Sequence, residues 1–115
     1  MKKRSGYQSL VSNFIQTSTS EILGELTRAQ SGSVETLQRN AWIQQIEILK
    51  NILSPYPDGF VAFEFTIPRM GKRVDNLFIY KDLILVIEFK VGSDKFDRLA
   101  IQQVIDYSLD LKNFH

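Results

Sequence analysis

Asp75, Glu88 and Lys90 are the residues of this chain whose types and spacing could do chemistry. Two apolar runs, 76–80 and 83–89, are rich in Ile, Val, Leu and Phe and are separated only by Lys81 and Asp82, which reads as a tight antiparallel hairpin. With Tyr80 and Leu83 as the closing pair, Ile79 faces Ile84, Leu77 faces Val86, and Asp75 falls opposite Glu88. Side chains directly opposed across two strands lie about 4.5–5.5 Å apart at Cβ, where like charges are destabilising. Something must compensate them. A divalent cation would do so, with carboxylate oxygens as hard ligands and the remaining positions left to water and phosphate. Protonation of one carboxyl would also serve, as would a salt bridge to Lys90, which strand alternation places on the face of Glu88.

The elements that position these groups are readable in outline. Lys-Asp is not one of the preferred primed turns, which carry Asn-Gly or Asp-Gly. A loop two residues longer about the same centre keeps the carboxylates paired, whereas a slip by one residue sends them to opposite faces. Ahead of the hairpin, residues 60–68 alternate as a strand that is fairly apolar on both faces, so Glu64 stands out. A lone carboxylate there needs a partner: a metal, Lys90, or a basic residue of the following segment, where Arg69, Lys72 and Arg73 cluster.

Further back, residues 34–53 carry Leu37, Ala41, Ile48 and Ile52 on one stripe, with Trp42, Ile46, Leu49 and Leu53 beside it. This predicts a long helix laid against a sheet. Pro55-Tyr56-Pro57-Asp58-Gly59 stops it and turns the chain. Residues 1–17, with Tyr7, Leu10, Val11, Phe14 and Ile15, read as a short helix. A second follows Ser18, which with Glu21 fits a capping box. Beyond the hairpin a helix is expected over 94–113, capped by Ser93 or Asp94. Gln103 and Tyr107 would share one of its faces, and their amide and hydroxyl suit them to hold a phosphate or orient Lys90.

Composition narrows the field. The 115 residues suffice for one domain with its own core. No cysteine is present and the single histidine is terminal His115, which excludes disulfides and thiolate metal sites and argues against histidine catalysis. No apolar run approaches the length of a membrane span, and MKKR is not followed by a signal-type apolar segment, so a cytoplasmic protein is expected. A net charge of +1 shows no global basic excess, so any surface for nucleic acid must be local.

Asp75 followed by Glu88-Phe89-Lys90 resembles the D…(D/E)xK signature of the PD-(D/E)XK nuclease superfamily, with Val74 where the name-giving proline stands. Gln103-Val104-Ile105-Asp106-Tyr107 resembles the QxxxY extension of its RecB-like branch. The run 59–90, with Glu64, Pro68, Lys72, Arg73, Asp75 and Glu88, is similar to the nuclease-like amino-terminal domain that some bacterial proteins fuse to a P-loop helicase. The resemblance implies an α/β fold: a restriction-endonuclease-like α-β-β-β-α core over 33–115 behind a helical extension over 1–32, with the last core strand missing. The chain would then be the amino-terminal part of a longer protein.

The activity implied is Mg²⁺-dependent hydrolysis of phosphodiester bonds, with Mn²⁺ as substitute. Asp75 and Glu88 would be the metal ligands, Lys90 the catalytic cation and Glu64 a further catalytic carboxylate. Gln103, Tyr107, Lys72 and Arg73 would contact nucleic acid. The superfamily's first core helix often adds a group to the site, and the match of Trp42 implies Gln38 in that place, with Glu35 and Glu47 as alternatives. The helicase-fused relatives tend to have Glu there, so Gln38 is a departure. The partners implied are nucleic acid, DNA ahead of RNA, and a following helicase or other domain; a homodimer stays open. Two rival readings remain: a nuclease-like module that binds nucleic acid or a partner without cutting, and a structural domain with a buried ion-pair network of Asp75, Glu88, Lys90 and Arg73.

Overall fold

Alternating apolar strands that share edges pair in sequence order, and this chain forms a meander. The computed structural model describes residues 5–30, 32–67, 71–91 and 96–103. Its elements are β1 (Tyr7–Leu10), α1 (Val11–Gln16), α2 (Thr19–Ala29), α3 (Thr36–Leu53), β2 (Phe60–Ile67), β3 (Lys72–Tyr80), β4 (Leu83–Val91) and β5 (Phe96–Gln103). The five strands form one sheet in the order β1-β2-β3-β4-β5, with every neighbouring pair antiparallel. The fold is α/β, and helix, strand and hairpin follow one another from α3 to β4 as the sequence predicts.

The hairpin closes as expected. Tyr80 pairs with Leu83, Ile79 with Ile84 and Leu77 with Val86. Lys81 takes φ 53°, the positive value that a primed turn demands at its first central position. The unfavourable Lys-Asp loop is thus imposed by the strands it joins, whose two apolar faces fix the register.

Two segments differ from the sequence reading. Residues 7–10 form β1 rather than the start of a helix, because the free edge of β2 offers a ladder: Tyr7 pairs with Phe63 and Leu10 with Phe60. The helix begins only at Val11, whose N–H donates to the Gly59 carbonyl at 2.8 Å. The larger correction concerns the helix expected over 94–113. Residues 96–103 are strand β5, paired along β4 from Leu85↔Gln103 to Val91↔Phe96. An edge strand as apolar as β4 presents a row of unpaired backbone groups, and pairing it outweighs a local helical preference. Within the described residues β4 is therefore followed by a strand, not by the crossover helix that the superfamily resemblance implies.

The helices cover one face of the sheet. α2 starts where Ser18 accepts the Glu21 N–H at 3.2 Å, the first half of the expected capping box. α3 buries Trp42, Gln45, Ile46, Leu49 and Leu53, whereas Leu37 on the neighbouring stripe is 74% exposed. One stripe alone faces the sheet, since a helix packed on a single side needs no more. Tyr7, Val11, Phe14, Ile22 and Leu26 join Trp42, Ile46, Val61, Phe63 and Ile87 in one buried cluster. The amino-terminal extension is thus continuous with the core. Ala62, Phe65, Ile67, Val74, Leu77, Ile84 and Val86 form a second cluster. Among the described residues no helix is long and apolar enough to cross a membrane.

Candidate functional site

Three carboxylates fall in one row across the sheet. Phe63↔Asn76 and Phe65↔Val74 bracket Glu64 opposite Asp75. The β3–β4 ladder, running down to Asn76↔Ile87, sets Asp75 opposite Glu88. At this row the regular pattern breaks. Phe89 donates its N–H to Asp75 Oδ2 at 2.9 Å, so a side-chain carboxylate takes a backbone donor of β4.

The row is also where β2 and β3 change face. Val61 and Phe63 pack with the helices, and by strand alternation Phe65 and Ile67 belong with them. Both instead join the second cluster. On β3, Val74 likewise joins the cluster of Leu77 rather than that of Phe78. On β2 the switch has a local cause: Glu64 sits at φ 53°, in the left-handed region. A non-glycine residue held there costs about 1–3 kcal/mol, and such strain gathers at functional sites.

The neighbour of Glu64 is Arg73, whose Nη1 lies 3.1 Å from Glu64 Oε1. Of the partners the sequence left open for Glu64, the basic residue is the one found. Their side chains differ in exposure, 61% for Arg73 and 15% for Glu64. An ion pair this open to water is worth about 0–1 kcal/mol, less than the strain of Glu64.

Glu88 carries the other electrostatic signature. Burial pushes its carboxyl above the ordinary value of 4.5, and the charge of Asp75 and a hydrogen bond with it push the same way. The Asp75 backbone and the charge of Lys72 pull in the opposite direction. A raised folded value means that the fold favours the protonated form. Its stabilising contribution is complete below the unfolded value and is lost as pH rises through the folded one. Unfolding free energy should therefore decline over that interval by about 0.2–1 kcal/mol, the range for opposed like charges. Urea titrations of the wild type and Glu88→Gln at a series of pH values isolate it: the difference between the two curves should grow from pH 4 toward pH 7.

The remaining predicted residues that are described lie on α3, β3, β4 and β5. Lys90 lies on β4 two residues past Glu88, with its backbone paired to Arg98 and a register irregularity just beyond it. Lys72 is exposed at the start of β3. Gln38 is half-buried in α3, Glu35 is its amino-terminal cap residue without a capping side-chain bond, and Glu47 is exposed. Gln103 ends β5 opposite Leu85, three rungs from the Glu88↔Ala100 pair, or about 10 Å along the strand. It is not on a helix, and β5 does not bring its backbone to the acidic row. Tyr107 lies outside the described residues, as do Pro68 and Arg69.

Two features of the site carry little mark in the sequence. Asn76, next to Asp75, is fully buried, and its Nδ2 donates to the Ala62 carbonyl at 3.4 Å. Its Oδ1, with Trp42 Nε1 and Gln45 Oε1, has no hydrogen-bond partner among the described residues. A polar residue within an apolar run is the one available signal for Asn76. The left-handed backbone at Glu64 has none, since no glycine stands there.

Among the described residues no three His, Cys, Asp or Glu side chains group closely enough to hold a metal ion. The donor set at Asp75 and Glu88 is two hard carboxylates. That fits Mg²⁺, which keeps several waters and is commonly held through one or two carboxylates plus substrate phosphate. No protein-family model, curated protein or solved structure matches the chain.

Proposed function

We propose that this chain is a metal-dependent nuclease of PD-(D/E)XK type that hydrolyses phosphodiester bonds of nucleic acid, DNA ahead of RNA, in cytoplasmic DNA processing, repair or defence. One observation carries the reading. Asp75 and Glu88 oppose each other on adjacent strands, at a row where Asp75 holds the Phe89 N–H and the Glu88 carboxyl is pushed up by burial and by Asp75. A hairpin that served packing alone has no use for opposed carboxylates, which weaken the sheet.

Asp75 and Glu88 would hold Mg²⁺, or Mn²⁺ in its place. When bound, the ion polarises the scissile phosphate and lowers the pKa of a bound water. Asp75 is oriented by the Phe89 N–H, which fixes one of its oxygens. Glu88 would bind the ion in its ionised form, the form that burial and the charge of Asp75 disfavour. Lys90 would position the attacking water or stabilise the charge that develops on the phosphate, a task suited to a compact ammonium. Lys72 would hold the flanking backbone. Among the described residues the site offers carboxylates and cations suited to phosphate and metal rather than to base edges, so cleavage should depend little on sequence.

A second reading draws on β5, which stands where the resemblance implies a helix carrying Gln103 and Tyr107. It is a nuclease-like module that binds nucleic acid or a following domain without cutting. Lys90→Ala separates the two. Mg²⁺-dependent cleavage of single- and double-stranded DNA by the wild type should disappear in the variant while oligonucleotide affinity stays within about threefold, because one phosphate contact among several is a small share of binding. Binding by both proteins with cleavage by neither would favour the second reading.

A further inference from the structure

Glu64 is held in a conformation that its visible interaction does not justify. Its left-handed backbone costs more than an exposed pair with Arg73 returns. Stability is therefore not what the pair provides. What the geometry provides is aim. The Glu64 carboxylate is largely buried and fixed by the switch in β2, whereas the arginine it holds is mostly in water.

We infer that Glu64 is a positioning residue for Arg73 rather than a metal ligand, and that Arg73, so held, binds a backbone phosphate beside the Asp75–Glu88 pair. The inference rests on the nuclease reading of that pair. Glu64 Oε1 is engaged by Arg73 Nη1. The guanidinium fork still presents its other nitrogens, which have no partner among the described residues, and it matches phosphate geometry. An exposed arginine left to itself samples many rotamers, and an anchored one loses less freedom on capturing a phosphate. Glu64 and Asp75 are neighbours in the row, so the anchored cation sits at the end of the carboxylate line opposite Glu88. There it offsets the repulsion that a polyanion would meet.

The positive φ supplies the test. Glycine adopts that backbone freely. Glu64→Gly therefore removes the carboxylate and relieves the strain together, which separates positioning from folding. Three readouts are compared for the wild type, Glu64→Gly, Arg73→Ala and the double variant: urea denaturation, calorimetric Mg²⁺ titration, and anisotropy of a fluorescein-labelled DNA oligonucleotide in magnesium-free buffer. Glu64→Gly should match or exceed wild-type stability and keep Mg²⁺ binding. It should bind the oligonucleotide about tenfold more weakly, the loss expected of one charge-assisted hydrogen bond. Arg73→Ala should lose a similar factor, lower the salt slope by about 1, and add nothing in the double variant.

Loss of Mg²⁺ binding in Glu64→Gly would make Glu64 a ligand and overturn the inference. So would wild-type oligonucleotide affinity in either single variant, or additive losses in the double. A wild type that binds no Mg²⁺ would instead count against the metal mechanism, and the anisotropy comparison would still decide the role of Glu64.

Discussion

Glutamine in place of Glu88 is expected to abolish cleavage and, at neutral pH, to raise stability. The two effects have one origin. Glu88 faces Asp75 across the β3–β4 hairpin, and burial together with that carboxylate raises its proton affinity. The charge of Asp75 works against an ionised Glu88, and a neutral amide of the same shape removes that repulsion, a gain of about 0.2–1 kcal/mol. The same amide cannot serve as an anionic ligand. Cleavage should fall by at least the 10²–10³-fold, roughly, that removal of one electrostatic stabiliser costs an enzyme. A gel-based cleavage assay beside urea denaturation at pH 7 reads both. A residue that lowers stability while serving the reaction is what a functional site leaves behind, since activity and stability trade there. If Glu88→Gln unfolds the domain instead, Glu88 is a structural partner in an ion-pair network, and the third reading of the sequence gains ground.

Alanine in place of Phe14 should cost about 3–5 kcal/mol, the range for removing a buried aromatic ring. Phe14 is fully buried. Its ring centroid lies 6.2 Å from Tyr7 and 5.7 Å from Phe63, and Tyr7 and Phe63 are 6.0 Å apart in an edge-on arrangement. The three rings tie α1 and β1 to the strand that carries Glu64. A loss of that size consumes much of the roughly 5–15 kcal/mol that holds an ordinary domain together. Chemical denaturation of the variant is the check. A cost below about 1 kcal/mol would mean that the first helices are an appendage and not part of the folding unit.

The sequence was most legible where the pattern was local. The hairpin register followed from two apolar runs with a two-residue gap, because side-chain period and turn length fix it together. The opposition of Asp75 and Glu88 came with it. The apolar stripes of residues 34–53 and the Pro55–Gly59 turn that stops them outline α3, close to the structural Thr36–Leu53. What stayed hidden depended on distant partners. Nothing within residues 96–103 announces a strand, since the spacing of Leu99, Gln103 and Tyr107 is also that of a helix face, and the open edge of β4 decides the matter. Residues 7–10 become β1 for the same reason, at the other edge of the sheet. Glu64 sits in a run that alternates without interruption, so neither its left-handed backbone nor the change of face at Phe65 and Val74 could be read from residue types. Arg73, a plausible partner among several, was selected by that geometry.

That Asp75 and Glu88 form a metal site is tested by calorimetric titration of Mg²⁺ and Mn²⁺ into the wild type and into Glu88→Gln. Binding at about millimolar affinity or tighter, roughly −4 kcal/mol at 1 mM, is expected for the wild type and should vanish in the variant. Equal heats in the two proteins, or none in either, would contradict it.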